Sequence, residues 1–146
     1  MNPARIAILA LAGLGASALA APVPKEAKKT PLEQLQGKWL IVSVDRGEGQ
    51  KSPPVELEAF TLSFEGGKLS TSTGTEALHQ RLVVTCDFAT TPMQMDVQFG
   101  SRKVAGIFRL EDGKLFWSHG LPDSARPKDF KGGNGDKSFI FKAVDK

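Results

Sequence analysis

One cysteine, Cys86, stands in 146 residues, so no internal disulfide can staple the fold and the core must hold by packing. Histidines are scarce too: only His79 and His119 are present. Alternation from Leu78 to Phe88 puts His79 and Cys86 on opposite strand parities, so they do not converge from one β face as metal ligands. Cys86 shares its parity with Leu82, Val84 and Phe88, which reads as a buried small hydrophobe rather than a nucleophile. No Ser-His-Asp or Cys-His arrangement can be argued from spacing, so the reading is non-enzymatic, with no metal and no cofactor. Charge of one sign is also in short supply: the formal net charge is +3, too mild to make nucleic acid a good partner. Internal repeats, coiled-coil periodicity and a second domain are all missing. A single domain with a modest core is what this length supports.

The longest apolar run is at the very start. Arg5 supplies a thin positive region, residues 6–19 are apolar or small, and Ala18-Leu19-Ala20 is an A-x-A cleavage signal. The run falls short of the ~20 apolar residues of a spanning helix, so residues 1–20 read as an export signal whose removal leaves no stable membrane insertion. No cysteine stands at the cleavage region to accept a lipid. Residues 21–30, with Pro22, Pro24, Lys25, Lys28 and Lys29, read as a solvated basic tether. The single domain is then 31–146, in an exported protein that is periplasmic or secreted.

The fold is expected to begin at Thr30. Thr30, Pro31 and Glu33 form the pattern of an N-cap, a first helical residue and a capping box. Leu32 and Leu35, three apart, predict one short turn that seats both on the core. Gly37 stops that turn and launches Trp39 into a strand.

From Trp39 onward the pattern is β throughout. Residues 39–44 are nearly continuous in apolarity, which predicts a strand packed on both faces for part of its length. Residues 48–58 read as a loop with a helical turn near 55–57. Phe60, Leu62 and Phe64 alternate with Thr61, Ser63 and Glu65 before a Gly66-Gly67 hairpin turn. Met93, Met95, Val97 and Phe99 share one face after the break at Pro92. Residues 104–111 and 114–119 flank Asp112-Gly113, the clearest hairpin signal in the chain. Gly106 within that strand predicts a bend or bulge. Residues 120–136 form a long connection anchored by Phe130, and Phe139 and Phe141 close the chain. About eight short strands joined mostly by hairpins predict an all-β, antiparallel up-and-down barrel, because closure removes exposed edges.

Five fragments carry a resemblance when taken in order. They are Leu35-Gln36-Gly37-Lys38-Trp39, residues 62–69, residues 92–96, residues 106–115 and Arg126-Pro127-Lys128-Asp129-Phe130. Together they resemble the uncharacterised lipocalin-like domain family widespread in planctomycete bacteria, over nearly all of residues 32–144. That family has no established activity. The resemblance therefore implies fold, host and export but assigns no catalytic residue. It also implies that Trp39 plugs the closed end of the barrel. True lipocalins lay a late-strand Arg across that Trp; here the last strand offers Lys142, which leaves Arg109 or Arg126 to cover it by a cation–π contact.

Two functional readings are open. In the first, Met95, Asp96, Phe108, Arg109 and Trp117 contribute to a site for a small apolar ligand inside the barrel. Facing inward, Asp96 and Arg109 need each other or a polar ligand group to offset desolvation; facing outward they need neither. In the second, the barrel is solid and docks an envelope protein, with the basic tether and the hydroxyl-rich residues 70–75 as contact surface. Thr30, Gly37, Trp39, Gly106, Arg126 and Phe130 are expected to be structural.

Overall fold

The computed structural model describes residues 21–22, 27–47, 51–52, 60–73 and 76–144, with only the backbone described at 51–52 and 76–81. The export signal, the middle of the tether, the helical turn near 55–57 and the His79 side chain lie outside the described residues. Among the described residues no helix is long and apolar enough to cross a membrane.

Helix α1 (Pro31–Leu35) is followed by nine strands: β1 (Gly37–Asp45), β2 (Lys51–Ser52), β3 (Phe60–Glu65), β4 (Lys68–Thr73), β5 (Glu76–Asp87), β6 (Met93–Phe99), β7 (Arg102–Glu111), β8 (Lys114–His119) and β9 (Lys137–Ala143). Eight of them pair in the order β1-β3-β4-β5-β6-β7-β8-β9, and β9 pairs back onto β1. Every pairing is antiparallel, so the sheet closes as an up-and-down barrel; β2 is a two-residue ribbon beside the end of β1. The expected fold class is the one observed.

The capping signal at Thr30 is realised in full. The Thr30 hydroxyl accepts from the Glu33 N–H, and the Glu33 carboxylate accepts from the Thr30 N–H at 2.7 Å. Leu35 is buried, but Leu32 stays 48% exposed, because a five-residue helix presents only one turn to the barrel. Gly37 turns the chain into β1 at φ +104°, a conformation that favours glycine.

In β1 the expected packing on both faces is replaced by a bulge. Pairing with β9 shifts between Ile41 and Ser43, which leaves Val42 as the extra residue, 41% exposed. The shift reverses parity, so Trp39 and Val44, five apart, are both 2% exposed on the inside. Gly106 shows the opposite outcome. The ladders of β7 to β6 and to β8 both run past it without a register shift, so no bulge forms there. A Cβ at Gly106 would lie 2.7 Å from Trp117 Nε1 and 2.8 Å from the Ser118 carbonyl oxygen. The glycine makes room for an indole.

The lumen is filled by Leu35, Trp39, Leu62, Phe64, Leu69, Met95, Phe108, Leu115, Phe141 and Trp117. Trp39 donates its indole N–H to the Leu35 carbonyl oxygen at 2.8 Å, which fixes helix and plug together.

Candidate functional site

The lumen at the C-terminal end of β8 and the outer face of β6 to β9 hold the chemistry. Inside, alternation along β8 sets Leu115, Trp117 and His119 on one side, and along β9 it sets Phe139 and Phe141 opposite them. His119 stacks on Phe139 at 5.1 Å between ring centroids, with Trp117 4.8 Å away and Phe139 continuing onto Phe141 at 6.0 Å. Burial lowers the His119 pKa, helped by Lys137 and opposed by the Gly120 carbonyl and Asp136. The ring is therefore neutral near pH 7. His119 Nδ1 lies 3.0 Å from the Gly120 carbonyl oxygen, so the proton sits there and Nε2 is left as an acceptor. Trp117 is 6% exposed, and its indole N–H is buried without a hydrogen-bond partner among the described residues.

The outer face is crossed by the connection 120–136, which acts as a strap. Asp123 accepts from the Lys103 N–H and from Arg102 at the start of β7. Arg126 then grips Asp96 on β6 through two nitrogens, at 2.5 and 3.1 Å, and donates to the Gly106 carbonyl at 2.6 Å. Lys103 adds a second cation to Asp96 at 3.2 Å. Burial alone raises the Asp96 pKa, but the hydrogen bonds and charges of Arg126 and Lys103 outweigh it and hold the carboxyl below its ordinary range. At its far end the strap meets β1 backbone to backbone: a Cβ on Gly132 would sit 2.6 Å from the Asp45 carbonyl oxygen.

Phe130, midway along the strap, reaches down to Arg109. The Arg109 guanidinium carbon lies 4.4 Å from the Phe116 ring centroid and 5.0 Å from that of Phe130. Register lines Arg109, Phe116, Ile140 and Ser43 across β7, β8, β9 and β1 in one outward row. The adjacent row is Ile107, Ser118, Ser138 and Asp45, where the buried Ser138 hydroxyl donates to Ser118 at 2.9 Å. A cleft of about 190 Å³ opens over these rows. A separate apolar hollow of about 570 Å³ lies beside α1, where Cys86 joins Phe64, Val84 and Phe88. Burial, then the nearby Asp96 charge, pushes the Cys86 thiol up to about 11, so it stays protonated.

The residues singled out for a ligand thus divide between the two sides of the wall. Met95, Phe108 and Trp117 face the lumen, whereas Asp96 and Arg109 face outward and do not meet. Neither Arg109 nor Arg126 takes the place of the lipocalin Arg over Trp39: the first lies against two phenylalanines, the second against Asp96. Sequence reasoning passed over the inward stacking of His119, although its parity with Trp117 was legible. It also passed over the Ser118–Ser138 pair, which only the β8–β9 register brings together.

These features define a small closed antiparallel barrel, lipocalin-like in general architecture, with one end plugged by a helix-tied Trp and one outer face strapped. No family profile, curated protein or solved structure matches this chain.

Proposed function

We propose that this is an exported, non-enzymatic binding domain of the lipocalin-like kind found in planctomycete bacteria, with a small apolar ligand held in the lumen beside Trp117. One observation carries this reading: the buried, unpartnered indole N–H of Trp117. An unpaired buried donor costs roughly 1–3 kcal/mol, and an acceptor on a bound ligand relieves that cost. The surrounding rings of His119, Phe139 and Phe141 supply an apolar body with the matching surface, and the neutral His119 offers one further acceptor. The leader at residues 1–20 supports export, and the five ordered fragments support the host assignment.

A second reading is favoured by the packing itself. Met95, Val97, Phe108 and Leu115 are fully buried, as in a solid-core domain that docks an envelope protein through its surface. Titration of the purified protein with 2-octanone and with octane, followed by the Trp117 indole proton in NMR spectra, separates the two. A downfield, saturable shift with the ketone alone supports the ligand reading. No response to either compound, and no small molecule released from protein purified from its host, sinks it in favour of the solid core.

A further inference from the structure

We propose that the strap and the barrel wall together form a second site, a receptor for a small organic carboxylate, centred on Arg109. The site lies outside the lumen and is independent of whether the lumen holds a ligand.

Arg126 and Arg109 are spent differently. Arg126 satisfies its fork on Asp96 and Gly106. Arg109 makes no hydrogen bond among the described residues. Its one ionic neighbour there is Glu111, 3.5 Å from Nε, and the two side chains are 48% and 58% exposed. An ion pair that open to solvent offsets little of the charge. Meanwhile the guanidinium carbon lies over the Phe116 and Phe130 rings, 4.4 and 5.0 Å from their centroids, contacts that take none of its N–H donors. A planar cation whose orientation is already set by aromatic contacts, with its donors unbonded, is preorganised for a two-point carboxylate contact.

The cleft beside it fits such a ligand in size and lining. Its volume is about 190 Å³, and Phe116, Phe130 and Ile140 supply apolar surface for a compact hydrocarbon body. Ser138, 6% exposed, lines the cleft and spends its hydroxyl proton on Ser118, so its oxygen can act there only as an acceptor. Asp45 lines the opposite end. Its charge excludes a dianion and orients the ligand: the carboxylate goes to Arg109, and an uncharged or donor-bearing tail goes toward Asp45 and Ser138. Phe130 comes from the strap while Arg109 and Phe116 come from the wall, so the site exists only while the strap is docked.

The test is a titration of the purified protein with 3-phenylpropionate and its neutral amide, 3-phenylpropanamide, read from the Arg109 Nε–H and the Phe116, Phe130 and Ile140 resonances. The expected result is saturable shifts at those groups with the carboxylate and at least tenfold weaker binding of the amide. Arg109→Gln should lose the carboxylate response. Arg109→Lys, which keeps the charge and tolerates the fold, should weaken it severalfold because the fork is gone. Equal affinity for acid and amide, unchanged binding in Arg109→Gln, shifts confined to lumen residues such as Trp117, or no saturable response up to ~50 mM would each overturn the proposal.

Discussion

Arg126 and Asp96, thirty residues apart, form a two-point ion pair that fastens the 120–136 strap to the barrel wall. Their side chains are 27% and 19% exposed, so water screens the pair only in part. The same guanidinium also takes the Gly106 carbonyl, which ties strap, β6 and β7 at one point.

Arg126→Ala should therefore destabilise the protein by ~2–3 kcal/mol, since it leaves the largely buried Asp96 with Lys103 as its one ionic partner among the described residues. Arg126→Lys should recover less than half of that, because a point charge cannot replace the fork. Urea denaturation midpoints at constant slope measure both. A loss under ~0.5 kcal/mol in Arg126→Ala would show that the strap is held elsewhere.

Acid should unfold the protein in two stages. His119 has a pKa below its ordinary 6.5, so the unfolded chain binds the extra proton first and stability falls as pH drops from about 6.5 toward the folded value. Asp96 is also depressed, below an ordinary 3.8, so its contribution is full above that value and is lost as pH falls through the folded pKa. His119→Phe should flatten the first stage alone, and Arg126→Ala should shrink the second. Urea midpoints taken from about pH 8 to about pH 3 resolve the two.

The two tryptophans should behave unequally. Trp39→Ala removes the plug and should cost ~3–5 kcal/mol, whereas Thr30→Ala frays only the helical turn and should cost about 1 kcal/mol. Trp39→Phe should cost more than Trp117→Phe, because the first orphans the Leu35 carbonyl and the second removes a donor that has no partner. In Trp117→Phe, emission from Trp39 should be blue-shifted and poorly quenched by iodide. Red, freely quenched emission would remove Trp39 from the closed end.

Glycine substitutions should sort by what a Cβ meets. Gly106→Ala places a methyl against Trp117 and the carbonyls of Ser118 and Met95, the latter at 3.1 Å. Backbone on both sides cannot yield, so the loss should exceed ~3 kcal/mol and Trp117→Phe should not rescue it. Gly132→Ala, at φ +70° and against the Asp45 carbonyl, should release the strap. Gly100→Ala has open space at φ +56° and should cost only about 1 kcal/mol for its backbone conformation. Thermal midpoints of the three variants give the order.

The features legible along the chain are local and periodic. The Thr30 cap, the Gly66-Gly67 and Asp112-Gly113 turns, and the alternation that sends Leu62, Met95, Phe108 and Phe141 inward all depend on neighbours within a few residues. Their physics is complete in a short window: a hydroxyl reaches a nearby N–H, a glycine takes a positive φ, and side chains alternate along a strand. Lateral relations, by contrast, were set by the assembled barrel. Whether residues 39–44 were buried on both faces or bulged depended on β9 pairing with β1. Whether Gly106 bent its strand or made room depended on an indole on β8. Arg109 met Phe130, and Arg126 met Asp96, because the strap crosses the wall at one register out of several that the chain length allows. Partners set by register and by the docking of a long connection leave no periodic trace, since their contacts join residues twenty or more apart that no local preference selects.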